Sequence, residues 1–261
     1  MRDRHSILLW SALLVSGAAG LIYQVVWMRL LLLFLGVTSQ AVSTVLATFM
    51  AGLCLGSWLL ARRADKVESP LKFYAYLEIG IAVFGVLSVP LLGLLQSVYV
   101  SLVRELALSQ LFVPYLRVLC ASIALLIPTT LMGATLPALI RALCSANHEM
   151  GKQSGILYGI NTLGAVLGTI VCAYYLIENF GLSGAVWCGA ICNIVAACLT
   201  LVVSNFLPNS AGMQPAGAKT LHVSDMSSAA PVYSSGMLRL VMIAFALSGL
   251  FALCYEVLWT R

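Results

Sequence analysis

The chain has 261 residues, 61% of them hydrophobic and only 9% charged, with a net charge of +5. Soluble domains carry about 25% charged residues, so this composition excludes a water-soluble globule of this length and indicates a polytopic membrane protein. The basic residues are scattered among predicted loops and are not gathered with aromatics on one face, which excludes a nucleic-acid surface.

Apolar runs able to cross roughly 30 Å of hydrocarbon, about 20 residues each, fall near residues 7–28, 40–61, 72–95, 113–136, 155–177, 182–204 and 238–260. The first begins after Met1-Arg-Asp-Arg-His, which resembles the start of a signal peptide. It is too long for one, however, and Gln24 and Arg29 stand where a cleavage site belongs, so it reads as a retained helix. Its apolar stretch continues to Gly36, and Thr38-Ser-Gln40 makes the outer turn. Tyr23 and Trp27 are one turn apart and share a face. Gln24 and Arg29 are five residues apart and point about 140° away from each other, so each seeks a partner on another helix. Trp27 and Arg29 also fit an interfacial anchor with a snorkelling guanidinium.

The second run ends at the charged stop Ala61-Arg-Arg-Ala-Asp-Lys66. The third leaves after Pro70 and reaches the far side near Gln96. Glu78 lies about seven residues into it, roughly 10 Å below the edge. An ionised carboxylate there costs a few kcal/mol unless it pairs, takes up a proton or faces water. Glu78 is therefore a candidate for proton coupling or for holding a cationic substrate. In the competing reading the helix begins later and Glu78 is interfacial, beside Lys72 or Tyr74. Val98 to Ser109, with Arg104 and Glu105, suggests a short interfacial helix.

In the fourth run Pro128 and Pro137 flank Thr129-Thr-Leu-Met-Gly133, predicting a kinked helix that lines a cavity. Arg117, near its start, reads as an interfacial anchor or a pathway residue. The fifth carries two small-xxx-small pairs, Gly155 with Gly159 and Gly164 with Gly168, which lie on different faces and suit two neighbours. Asn161 shares the face of the second pair, and Asn193 lies in the sixth run. Cys188 and Cys192, one turn apart, suit apolar packing better than a metal, since no His or carboxylate joins them. Asn205 to Gly236 is rich in Pro, Ser, Ala, Gly and Asn and reads as a linker.

The last run repeats the first. Ser16-Gly-Ala-Ala-Gly-Leu-Ile-Tyr23-Gln24-Val-Val-Trp27-Met-Arg29 returns at constant offset as Ser248-Gly-Leu-Phe-Ala-Leu-Cys-Tyr255-Glu256-Val-Leu-Trp259-Thr-Arg261. Long-period repeats mark duplicated transporter architectures. The expected organisation is an all-α polytopic bundle: a six-helix unit over 1–204, a flexible cytoplasmic linker over 205–236, and the first helix of a second repeat, apparently truncated, over 237–261. A cytoplasmic N-terminus places Arg2, Arg4, Arg62, Arg63, Lys66, Lys72, Arg141, Lys152, Lys219 and Arg239 inside, and leaves Arg29, Arg104, Arg117 and Arg261 outside, as the positive-inside rule requires. Substrate or proton pathway candidates are Glu78, Tyr23, Gln24, Arg29, Asn161, Arg117 and Glu256. No nucleotide-binding turn, phosphate loop or nucleophile elbow is present, and neither a cofactor nor a metal is indicated.

Ser16 to Asp65, together with Tyr74-Ala-Tyr-Leu-Glu78-Ile-Gly80-Ile, Pro128-Thr-Thr-Leu-Met-Gly-Ala-Thr-Leu-Pro137 and Tyr158-Gly-Ile-Asn-Thr-Leu-Gly-Ala-Val-Leu-Gly168, resembles the membrane region of bacterial integral-membrane spermidine synthase-like proteins, also described as fused major-facilitator/spermidine synthase proteins. The resemblance covers nearly the whole chain apart from the linker. It implies a major-facilitator-like six-helix half in the bacterial inner membrane, often attached to a soluble aminopropyltransferase domain that binds decarboxylated S-adenosylmethionine and a polyamine. No such domain is present in this sequence. Two functions follow: a transporter-like module for polyamines or other small amines, coupled to a proton or cation, or a membrane anchor for an aminopropyltransferase domain outside the chain. On either reading the chain has no aminopropyltransferase site of its own.

Overall fold

A computed structural model describes residues 2–36, 39–64, 66–105, 113–143, 150–206 and 234–259. All regular structure among them is helical: α1 (Arg2–Leu35), α2 (Ser39–Leu59), the single turn α3 (Ala61–Ala64), α4 (Pro70–Glu105), α5 (Val113–Leu143), α6 (Met150–Val171), a π-helical turn (Cys172–Leu176), α7 (Ile177–Phe206) and α8 (Ser235–Trp259). Six of these stretches are long and apolar enough to cross a bilayer. The protein is an all-α polytopic membrane bundle. The chain divides into two units, Met1–Ser210 and Ala211–Arg261, and α8 belongs to the second. The linker, apart from its two ends, lies outside the described residues.

One expectation about the spans is corrected. The third span does not give way to a separate interfacial helix at Val98, because α4 runs unbroken to Glu105; its 36 residues reach about 54 Å, well beyond the hydrocarbon thickness. Apolar residues continue at Val98, Val100, Leu102 and Val103, so nothing in the sequence stops the helix there. Residues 106–109 lie outside the described set. The fifth and sixth spans, read as 155–177 and 182–204, join directly. Gly151–Phe206 is one apolar stretch of 56 residues, and its only non-helical residue is Gly181, at φ 69° and ψ −177°. A side chain is excluded from that conformation, and the chain reverses there, so the stretch makes two crossings.

Helix directions follow from who meets whom. At one end Leu9, Leu13, Ala64, Leu71, Leu139, Leu157 and Val203 share a core; at the other Leu31, Val45, Ala121, Cys172 and Ala185 share a second. Helices α1, α4 and α6 therefore run one way, and α2, α5 and the part of α7 after Gly181 run the other. The end with the first core holds α3, with exposed Arg62 and Arg63, and also Lys66, Lys72, Arg141 and Lys152. The Arg62 guanidinium lies 5.0 Å over the Trp58 ring. Exposed aromatics ring both ends: Trp10, Trp58 and Tyr158 at the basic end, Tyr115, Tyr174 and Trp187 at the other. That is the distribution expected at two membrane–water interfaces.

The bundle consists of two inverted triplets. α1 packs on α6 and α7, α5 packs on α2 and α4, and α4 packs on α7. Exchanging α1 with α5, α2 with α6 and α4 with α7 leaves that list unchanged, although α1 and α5 run in opposite directions. The match extends to single residues. A Cβ on Gly164 would overlap the Leu14 carbonyl, and one on Gly17 the Asn161 carbonyl; a Cβ on Gly56 would overlap the Thr130 carbonyl, and one on Gly133 the Leu53 carbonyl. In each crossing a glycine faces the carbonyl three residues before the partner's glycine. Backbones approach this closely only where no side chain intervenes. The other small pair expected to serve a neighbour, Gly155 and Gly159, meets nothing within 4 Å.

One proline is accommodated by a hydroxyl. Pro137 cannot donate to Gly133 O, its partner one turn back, and the Ser57 hydroxyl of α2 donates to that oxygen at 2.8 Å. Near Pro128, the Thr129 and Thr130 hydroxyls donate to Leu125 O and Leu126 O at 2.7 and 2.6 Å.

Candidate functional site

Three interior polar residues, Glu78 and Ser88 on α4 and Asn193 on α7, belong to helices that pack together with α1 along one seam. Glu78 is fully buried, 0% exposed. Helix α4 begins at Pro70, a residue suited to the first helical position, so Glu78 lies two turns inside and the interfacial reading is excluded. Ser16 Oγ of α1 donates to Glu78 Oε1 at 2.6 Å. Oε2 has no hydrogen-bond partner among the described residues. Tyr74, one turn earlier on α4, brings its hydroxyl up to the same carboxyl, short of a well-formed hydrogen bond to any of the described residues.

Two turns further along α1, the Tyr23 phenol lies between two glycines. A Cβ on Gly85 of α4 would come 2.5 Å from the phenol oxygen, and one on Gly189 of α7 would come 3.1 Å from Cζ. The slot exists because neither residue has a side chain. The Tyr23 ring stacks on Trp27 with centroids 5.2 Å apart and planes 16° apart. The Tyr23 hydroxyl makes no hydrogen bond among the described residues, and neither does Asn193 Oδ1, on α7 one turn beyond Gly189.

Trp27 is not an interfacial anchor. It is fully buried, its Nε1–H donates to Ser88 Oγ at 2.8 Å, and the Ser88 hydroxyl donates to Gly85 O at 2.6 Å. With Ser16–Glu78 and Tyr23–Gly85 this makes three parallel rungs between α1 and α4. α7 closes the seam from the other side.

No family model, no curated protein and no solved structure matches the chain. The chemistry of the site is read from its own atoms.

Among the sequence candidates, the structure brings Glu78 and Tyr23 together on the seam. Gln24, one position past Tyr23, is half-buried off that face. Arg29 is exposed toward the far end of α1. Asn161 sits at the α1–α6 crossing, where its backbone oxygen meets Gly17, and it takes no place on the seam. The Arg117 side chain lies outside the described residues. Glu256 is on α8, in the second unit. The site also needs Ser16, Tyr74, Ser88 and Asn193, none of which was a candidate. Tyr74 was legible as the residue one turn before Glu78. The hydroxyls of Ser16 and Ser88 carried no signal, because serine is common in membrane helices and only the register of α1 against α4 pairs them.

A carboxyl sealed from water without a neighbouring cation is compensated by a proton or by a bound cation, since the bare charge costs several kcal/mol. The Tyr74 hydroxyl lies beside this carboxyl, and the Tyr23 hydroxyl and Asn193 Oδ1, also without a hydrogen bond among the described residues, belong to the same seam. The seam can therefore accept a hydrogen-bond donor that carries positive charge.

Proposed function

We propose that the chain is a transporter-like membrane module whose interior carboxyl, Glu78, binds a small amine or exchanges a proton. In this reading it sits in a bacterial inner membrane with its N-terminus cytoplasmic. The observation that carries it is Glu78 itself, held by Ser16 at one oxygen and without a hydrogen bond at the other among the described residues, with the Tyr74 hydroxyl beside it. A buried carboxyl without a paired cation costs several kcal/mol, a cost that packing alone does not account for. The inverted triplets supply the architecture, since transporters place solute and coupling-ion sites near mid-membrane between helices of such repeats. Small amines are the solute class that the resemblance to integral-membrane spermidine synthase-like proteins implies. The basic end, carrying Arg62, Arg63, Lys66, Lys72, Arg141 and Lys152, is the cytoplasmic one under the positive-inside rule.

Glu78→Gln keeps the shape and the Ser16 bond while removing the charge. With the whole chain in nanodiscs, binding of a radiolabelled small amine should be measurable and should be lost in this variant. Equal binding by wild type and E78Q would defeat the transporter reading and leave the anchor reading, in which the helices only locate an enzyme domain.

A further inference from the structure

Two of the seam's residues with unbonded oxygens, Glu78 and Asn193, lie close together in height. Gly85 and Gly189 both touch the Tyr23 ring, which fixes α4 and α7 at one level, with α4 parallel and α7 antiparallel to α1. Stepping from that level toward the basic end, Asn193 is four residues along α7 and Glu78 is seven along α4. The three-residue difference is about 4.5 Å of rise. Both residues keep the face that converges on α1, since four and seven residues bring a helix back to nearly the same side. Asn193 is 2% exposed. Its Oδ1 and Glu78 Oε2 thus look into one seam from opposite walls, with the two tyrosine hydroxyls at either end.

We propose that Asn193 is the second ligand of the Glu78 site and that the two together select a primary ammonium group. An R–NH3⁺ head has three N–H donors and no acceptor. Glu78 Oε2, Asn193 Oδ1 and one tyrosine oxygen offer three acceptors, so every donor finds one and the charge lies on the carboxylate. A quaternary ammonium presents methyl groups and would leave Asn193 Oδ1 unbonded. This rests on the function proposed above and adds to it the class of cation and the residue that reads it.

The test uses the full chain in nanodiscs, with n-butylamine and butyltrimethylammonium as probes in competition binding, and wild type beside N193L, N193S and E78Q. Wild type should prefer the primary amine. N193L should weaken butylamine about tenfold or more, the size of a lost hydrogen bond to a charged group, and leave the quaternary probe unchanged. N193L should also be as monodisperse and as heat-stable as wild type, because it replaces an unbonded polar atom by an apolar one. N193S, which shortens the acceptor, reports on a fold that failed to tolerate leucine. Equal weakening of both probes, no change in N193L, or displacement of butylamine by sodium at matched concentration would each overturn the assignment of Asn193. Loss of all binding in E78Q with selectivity unchanged in N193L removes this inference alone. Absence of amine binding in wild type removes the function beneath it.

Discussion

The reciprocal glycine crossings make a quantitative demand on stability. In Gly164→Ala the new Cβ lies 2.8 Å from the Leu14 carbonyl carbon, and in Gly56→Ala it lies 2.8 Å from that of Thr130. Carbon atoms rest at about 3.5–4.0 Å, so each crossing must open by roughly 1 Å. A gap of that size forfeits a quarter to a half of the dispersion energy of the atoms it separates. Because the obstacle is backbone on both sides, the cost should fall at the upper end of the overpacking range, about 3 kcal/mol. Gly155→Ala and Gly159→Ala are the controls, since nothing lies within 4 Å of either; there the helix gains up to about 1 kcal/mol from replacing glycine. Thermal unfolding followed by size-exclusion fluorescence in one detergent reads all four. G164A and G56A should fall well below wild type by similar amounts, and the controls should match or exceed it. If G164A and G159A melt together, the close approach of α1 and α6 is wrong. If G56A and G164A differ widely, the equivalence of the two triplets fails.

Ser57→Ala should cost about 1–2 kcal/mol by leaving Gly133 O unbonded; in a Pro137→Ala background, where residue 137 can donate to that oxygen, the same change should cost much less, and a double-mutant cycle by thermal unfolding gives the coupling. Gly181→Ala should lose about 1–3 kcal/mol, the strain of a side chain in that backbone conformation, and equal melting temperatures would show that the reversal lies elsewhere. Single cysteines placed on a cysteine-free background at Arg62 and at Arg104 should label from opposite sides of the membrane, and impermeant reagent reaching both in intact cells would sink the arrangement of α4.

Composition and apolar run length made the multi-pass membrane class legible. The Gly164 and Gly168 contact was legible too, because spacing on one helix says which face is small. What the sequence could not show is register between helices. Trp27 and Arg29 look alike as interfacial residues near a helix end, yet Trp27 is sealed in the bundle because α4 presents Ser88 at its height, while Arg29, two residues on, turns outward. The end of α4 was missed for a related reason. Arg104 and Glu105 signal an aqueous boundary, but a helix passes through such a boundary as long as its backbone bonds remain satisfied within it. Asn193 looked like one polar residue in an apolar run; its place opposite Glu78 depends on the chain reversal at Gly181, which nothing in the run of apolar residues announces.

The turn at Gly181 also bears on how the protein is made. From Gly151 to Phe206 the chain carries only Lys152 and Glu178 as charges, and the two crossings meet at a single glycine. There is no hydrophilic loop to be pulled through and parked on the far side. A ribosome delivering this stretch hands the insertion machinery one apolar hairpin of 56 residues, with no polar loop to separate its two arms. The pair is therefore expected to enter as a unit, with Lys152 holding the near end while synthesis continues, so the last two helices of the bundle share a single insertion event.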